Sequence, residues 1–231
     1  MARRYRTIAG MAATTPPART RSRTGEGRVY RGQSATERQE ERRQRLIEAG
    51  LDLFATQGYL ATSIEELCAA AAISTRNFYE QVDGREGLLV LLHDIAMRRA
   101  QQAVLDALSD APQDDVMARV RAPLSAFVAA MTADPRWARI AYVEAVGISA
   151  EVERRRHTWM NRFARLMAAE ADAIAARGLA PQRDHELSAV ALVGAIDRLI
   201  VHWQASPRRR VPARALVDEL ARMVVATLSA P

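Results

Sequence analysis

Residues 62–89, TSIEELCAAAAISTRNFYEQVDGREGLL, constrain the fold of this chain more than any other stretch. Ser63 and Glu66 have the spacing of a capping box, in which a hydroxyl meets an orphan backbone N–H and a carboxylate reaches back. Ile64, Leu67, Cys68 and Ala71 then recur at i, i+3, i+4 and i+7, so one face of a short helix is apolar. Ala72-Ile73-Ser74 makes a tight turn, and Ser74 is placed to cap a second helix. That helix presents Thr75, Arg76, Asn77 and Tyr79 outward and leaves Phe78 and Val82 to pack. Two short helices in this arrangement form a helix-turn-helix, whose second helix has the shape that enters a DNA major groove.

No segment alternates like a strand, and the expected fold class is all-α, with about nine helices. A first helix is expected over 36–57, striped by Ile47, Leu51 and Phe54, widened by Leu46 and Leu53, and stopped at Gly58. Asp83-Gly84 breaks the chain before a long helix over 85–108, with Leu88, Leu89, Leu92, Ile95 and Met97 apolar. Pro123 either kinks the next helix or starts it afresh. Asp134-Pro135 opens a helix carrying Trp137 and Tyr142 and ending at Gly147. Ser149 caps a long amphipathic helix that stops at Gly178. A helix over 184–204 has a middle, AVALVGAI (189–196), that is apolar all round and so is expected to be buried on every side. The last helix, 213–228, offers Leu216, Leu220, Val224 and Leu228.

Charge divides the chain unevenly. Residues 1–34 hold eight Arg against one acid, Glu26, whereas 37–100 hold eight Arg against eleven acids. The formal net charge of +6 therefore belongs to a basic tail, and by itself says little about DNA. Residues 1–35 read as a disordered basic tail, either an arm that touches phosphates or an idle extension. The single cysteine, Cys68, reads as a packed thiol in a reducing cytoplasm. No apolar run is long enough for a membrane helix, and Ile8 to Ala13 is too short for a signal-peptide core. A cytoplasmic protein without a membrane partner is expected. His93, His157, His185 and His202 lack metal-ligand spacing, and no hydrolase or P-loop motif occurs. Neither an enzyme, a metal nor a cofactor is expected.

From Arg42 to Leu89 the sequence resembles the DNA-binding head of the TetR family of transcriptional regulators. The matching positions are Phe54 to Gly58, Thr62-Ser63, Leu67-Cys68, Ala71 to Ser74, Tyr79 to Val82, and Arg85 to Leu88-Leu89. Ala72 stands where the family has a turn glycine, so the position either avoids positive φ or is strained. Val82 replaces Phe, Arg85 replaces Lys, and Glu80 could repel a phosphate.

The resemblance implies a head over 36–100, with the helix-turn-helix at 63–82, and a ligand-binding and dimerisation region over 101–231. It implies Thr62, Tyr79 and Arg85 as phosphate contacts and Thr75, Arg76 and Asn77 as base readers, with Ser63 and Ser74 beside them as DNA-binding residues. Arg suits guanine O6/N7, and Asn suits adenine N6/N7. It further implies a homodimer through 184–204 and 213–228 on a pseudo-palindromic operator. A small, apolar effector is expected in a pocket drawn from Phe127, Trp137, Tyr142, Trp159, Met160, Phe163 and Asp197, with Glu144, His157 and His202 as further polar candidates. An ion pair to an Arg is the plainer reading of Asp197. The expected role is a repressor released by its effector, although activation depends only on where the operator lies. The alternative is a small-molecule-binding or interaction protein whose head no longer reads DNA.

Overall fold

A computed structural model describes residues 35–205 and 211–230. The basic tail over 1–34 lies outside the described residues. Among the described residues nine α-helices follow one another: α1 Ala35–Thr56, α2 Ile64–Ala71, α3 Thr75–Tyr79, α4 Gly84–Asp110, α5 Val116–Thr132, α6 Pro135–Arg139, α7 Ala150–Ala176, α8 Glu186–Ala205 and α9 Ala213–Ser229. A single π-helical segment, Ile140–Glu144, continues α6. Among the described residues there is no strand, and no single helix is long and apolar enough to cross a membrane.

Helix α1 ends where Gly58 adopts φ +95°, a conformation that a side chain would strain. Its inward face is Leu46, Ala49, Gly50, Leu51 and Phe54, while Ile47 and Leu53 are only partly covered. The stripe is therefore turned slightly from its expected centre. Gly50 explains the turn: a Cβ there would lie 2.8 Å from Leu88 Cδ2, so the glycine lets α1 and α4 approach closely. Helix α2 carries the full capping box, with Glu66 N–H donating to Ser63 Oγ and Ser63 N–H to Glu66 Oε2. Ser74 Oγ accepts from Asn77 N–H and starts α3. Caps of this kind contribute about 1 kcal/mol each. Leu67, Ala71 and Phe78, all at most 1% exposed, lock the two helices onto α1 and α4.

Helix α4 serves both halves. Leu88, Leu89 and Leu92 complete the core under α1–α3, and Ala96, Met97, Ala100 and Val104 continue it among α5, α7 and the rest of the body. A single contiguous hydrophobic cluster runs from Leu46 to Leu228 through this helix. Pro123 sits inside α5 without ending it. The chain then turns by 94° between α5 and the following α6–π unit.

Two expectations require correction here. The helix opened by Asp134-Pro135 does not continue as one α-helix to Gly147. After five residues it widens, with Ala145 N–H donating five residues back to Ile140 C=O, before Gly147 at φ +71° ends the unit. The apolar run in α8 is not buried on every side. Ala189, Leu192, Val193 and Ile196 face inward, but Val190 is 49% exposed and Ala191 is exposed beside it, as is Leu187 one turn before, because α8 lies on the outside of the described bundle and packs only along one side.

Candidate functional site

The head presents α3 to solvent. Arg76 has 88% of its side chain exposed and Tyr79 is 56% exposed, with Thr75 exposed and Asn77 half-buried beside them. Phe78 below is fully buried and meets the Tyr79 ring edge-on at 5.4 Å, so the helix is anchored through one aromatic while its neighbours stay outside. Arg76 Nε donates to Glu80 Oε1 at 3.0 Å. A pair this exposed contributes only about 0.5 kcal/mol and competes weakly with a phosphate or a base edge.

Thr62 is a correction. It is fully buried, its hydroxyl donates to Gly58 C=O at 2.8 Å, and it accepts from Gln57 Nε2 at 3.1 Å. Its hydroxyl closes the turn between α1 and α2, and no phosphate reaches it in this conformation. Arg85 is also engaged internally. Its guanidinium lies 5.1 Å from the centre of the Tyr59 ring and donates to the carbonyls of Tyr59, Leu60 and Thr62. Ser63 and Ser74 spend their oxygens as helix caps. Ala72 adopts φ +51°, ψ +50°, so of the two readings of the missing turn glycine the strained one holds. Cys68 is buried, and that burial pushes its thiol pKa up.

The body encloses a cavity of about 130 Å³ among α4, α5, the π segment, α7, α8 and α9. Phe127, Tyr142, Trp159, Met160, Phe163 and Asp197 line it. Phe127 and Phe163 meet edge-on at 5.3 Å. Trp137 does not line it, which corrects the expectation for that residue. The indole is buried on the far side of α6, under the Arg99 guanidinium at 5.1 Å. Asp197 pairs with Arg156 at 3.3 Å, the plainer of its two readings, and burial raises its pKa while Arg156 opposes the shift. Burial also raises the Tyr142 phenol. His157 and His202 are exposed and take no part in the lining.

Several polar lining residues escaped the sequence reading, among them His93, His185, Arg119, Glu170 and Arg156. His93 is 3% exposed, and burial pushes its pKa down to about 4, so the ring is neutral at ordinary pH. His185, also 3% exposed, makes a 2.8 Å hydrogen bond through Nδ1 to Asp172 Oδ1. Arg119 makes a two-pronged ion pair with Glu170 at the 6% exposed foot of α5. For His93 a signal existed: Leu89, His93 and Met97 recur every four residues on one apolar stripe of α4. The Arg119–Glu170 pair bridges 51 residues and left no local trace.

Glu144, expected as a pocket residue, faces the head instead. Its Oε2 accepts the Tyr59 backbone N–H at 2.8 Å, and its Oε1 accepts from Arg139 at 2.9 Å. The segment Ile140–Glu144 therefore touches the cavity with Ala141 and Tyr142 and the head with Glu144.

Residues 46–92 match the sequence model described as bacterial regulatory proteins, tetR family. The whole fold matches FadR, a fatty acid degradation regulator of Bacillus halodurans, at a TM-score of 0.71 and 17% identity, covering 81% of this chain and 96% of that one. The transcriptional regulator FadR of Bacillus subtilis, solved with stearoyl-CoA, matches at a TM-score of 0.68 and 14% identity, covering 79% and 97%. AibR, solved with isovaleryl coenzyme A and operator DNA, matches at 0.62 and 19% identity, again covering 79% and 97%. A search of curated proteins finds no match. The chain carries the N-terminal domain and the fold of TetR-family transcriptional regulators.

Proposed function

We propose that this protein is a DNA-binding transcriptional regulator, acting as a repressor released by a small, largely apolar effector. The observation that carries the reading is α3 itself: a helix held from below by Phe78 and capped by Ser74, with Arg76 and Asn77 on its outer side. Arg76 and Asn77 read base edges in the major groove, Thr75 assists them, and Tyr79 contacts a phosphate. Arg85 acts indirectly, by clamping the 59–62 turn that supports α2. It reaches a phosphate only by releasing those carbonyls. A homodimer forms through α8 and α9, where Leu187 and Val190 leave apolar surface uncovered, and sets two heads on a pseudo-palindromic site. The cavity is the effector site; the operator DNA bound by AibR supports the DNA-binding half of the proposal, and the acyl-CoA bound by two of the structural neighbours supports only that regulators of this fold take ligands.

One observation favours the rival reading, a head that no longer reads DNA: Glu80 occupies the recognition helix and already holds Arg76. Selection of binding sites from a random DNA pool at physiological salt decides between them. Recovery of a pseudo-palindrome is expected. In that case Arg76→Ala with Asn77→Ala should remove sequence preference, losing about 1–3 kcal/mol per base contact, while salt-dependent non-specific binding remains. Recovery of no site would favour the rival.

A further inference from the structure

The cavity's chemistry is more specific than apolar. Its lining follows α7 from Arg156 to Ile174, most of the length of that helix. The interior between them is walled by Phe127, Phe163, Leu166 and Leu192. Such a space suits an elongated molecule.

Charge narrows the class. The lining holds two permanent cations, and both are already neutralised: Arg156 by Asp197 and Glu153, and Arg119 by Glu170. An anionic head group would have to enter without a free cation, and an ammonium would meet carboxylates already committed to guanidinium groups. Burial of an uncompensated charge is strongly unfavourable.

Hydrogen-bonding capacity is nevertheless left over at both ends, and Arg156 Nε, although its guanidinium is charge-paired, is a further buried donor without a partner among the described residues. His93 Nδ1 has no partner among the described residues, although the residue is 97% buried. His185 uses Nδ1 on Asp172, so in the neutral ring Nε2 is a bare acceptor, and it too is buried and unpartnered. Each unmet buried group is unfavourable by about 1–3 kcal/mol, which a ligand hydroxyl can recover. The hydroxyl fits either tautomer of His93, because it both donates and accepts. The low basicity of His93 keeps it from presenting a charge to an acid.

We propose that the cavity binds an uncharged, elongated apolar molecule bearing a hydroxyl group that hydrogen-bonds His93, with His185 available to a second hydroxyl at the far end. The proposal deepens the regulator reading, since it takes this cavity as the effector site.

The test uses the full-length protein without DNA and three probes sharing one chain, 1-dodecanol, dodecanoate and dodecylammonium, with lauroyl-CoA as a fourth. Binding is measured by titration calorimetry and by the change in tryptophan fluorescence, of whose three sources only Trp159 lines the cavity. The alcohol should bind about tenfold or more tighter than either charged chain. His93→Phe should weaken the alcohol about tenfold and leave the others unchanged. His93→Gln, which keeps a hydrogen-bonding group, should restore most of the loss and guards against a misfolded Phe variant. Tighter binding of dodecanoate or lauroyl-CoA would overturn the proposal, as would binding of none of the probes or an alcohol affinity indifferent to His93→Phe. Because no DNA is present, failure here leaves the site-selection result intact. Failure of site selection likewise leaves this binding result intact.

Discussion

Glu144 is the side chain whose removal should uncouple head from body. Its carboxylate is 11% exposed and holds two partners, the Tyr59 amide at 2.8 Å and Arg139 at 2.8–2.9 Å. Tyr59 in turn meets Phe54 edge-on at 5.3 Å and lies under Arg85, so the amide that Glu144 grips belongs to the packed turn supporting α2. Glu144→Ala leaves that amide without its charged acceptor, a loss of about 1.5–3 kcal/mol for a partly buried group. The Arg139 pair adds little, because Arg139 is 42% exposed and is readily hydrated. With a urea slope of about 2 kcal/mol per molar, the midpoint should fall by about 1 M. Glu144→Gln keeps an acceptor oxygen on the Tyr59 amide and should lose about half as much. The functional readout is the ratio of operator affinities without and with effector. A coupling of about 1–3 kcal/mol should shrink in the Ala variant and largely persist in the Gln variant. An unchanged urea midpoint would refute the energetic argument. A lowered midpoint with an unchanged affinity ratio would show that the contact is structural only, and that the signal travels elsewhere.

Three further outcomes follow from buried or strained groups. Ala72→Gly should raise stability by about 0.5–1 kcal/mol, because relief of left-handed strain outweighs the added freedom of the unfolded glycine, and a lowered urea midpoint would contradict this. His93 has a folded pKa of about 4, below the unfolded value of about 6.5, so the unfolded chain binds its proton first as pH falls. Stability should therefore be undiminished by this group above about pH 6.5 and be lost progressively toward pH 4, by about 2 kcal/mol at pH 5. His93→Phe should flatten that slope in urea titrations at pH 7 and pH 5, and equal slopes in both proteins would sink the assignment. Arg119→Met should destabilise by about 3–5 kcal/mol by leaving Glu170 without its principal partner, whereas the double variant with Glu170→Leu should recover most of the loss. Thermal melts that rank the double variant no better than the single would reject that view.

The short-range chemistry of the head was legible because each signal and its consequence lie within a few residues. Ser63 and Glu66, Ser74 and Asn77, and the Leu67–Cys68–Ala71 face act through hydrogen bonds and side-chain spacing that a helix fixes by itself. The starts and stops at Gly58, Ser149 and Gly178 were legible for the same reason, since a cap or a positive φ is a local requirement. Tertiary structure decided everything that depends on which face meets which. It buried Thr62 and drew Arg85 onto the carbonyls of the 59–62 turn, so two residues for which the family resemblance implied a phosphate contact brace that turn in this conformation. It widened the helix after Arg139, sending Tyr142 into the cavity and Glu144 toward the head, and it set Trp137 outside the space its aromatic neighbours enclose. It paired Arg119 with Glu170 and left His93 and His185 facing a cavity assembled from six separate elements. Periodicity reports that a residue lies on an apolar stripe. Whether that stripe meets another helix, a void or solvent is a property of the packed assembly, as the half-covered α8 shows.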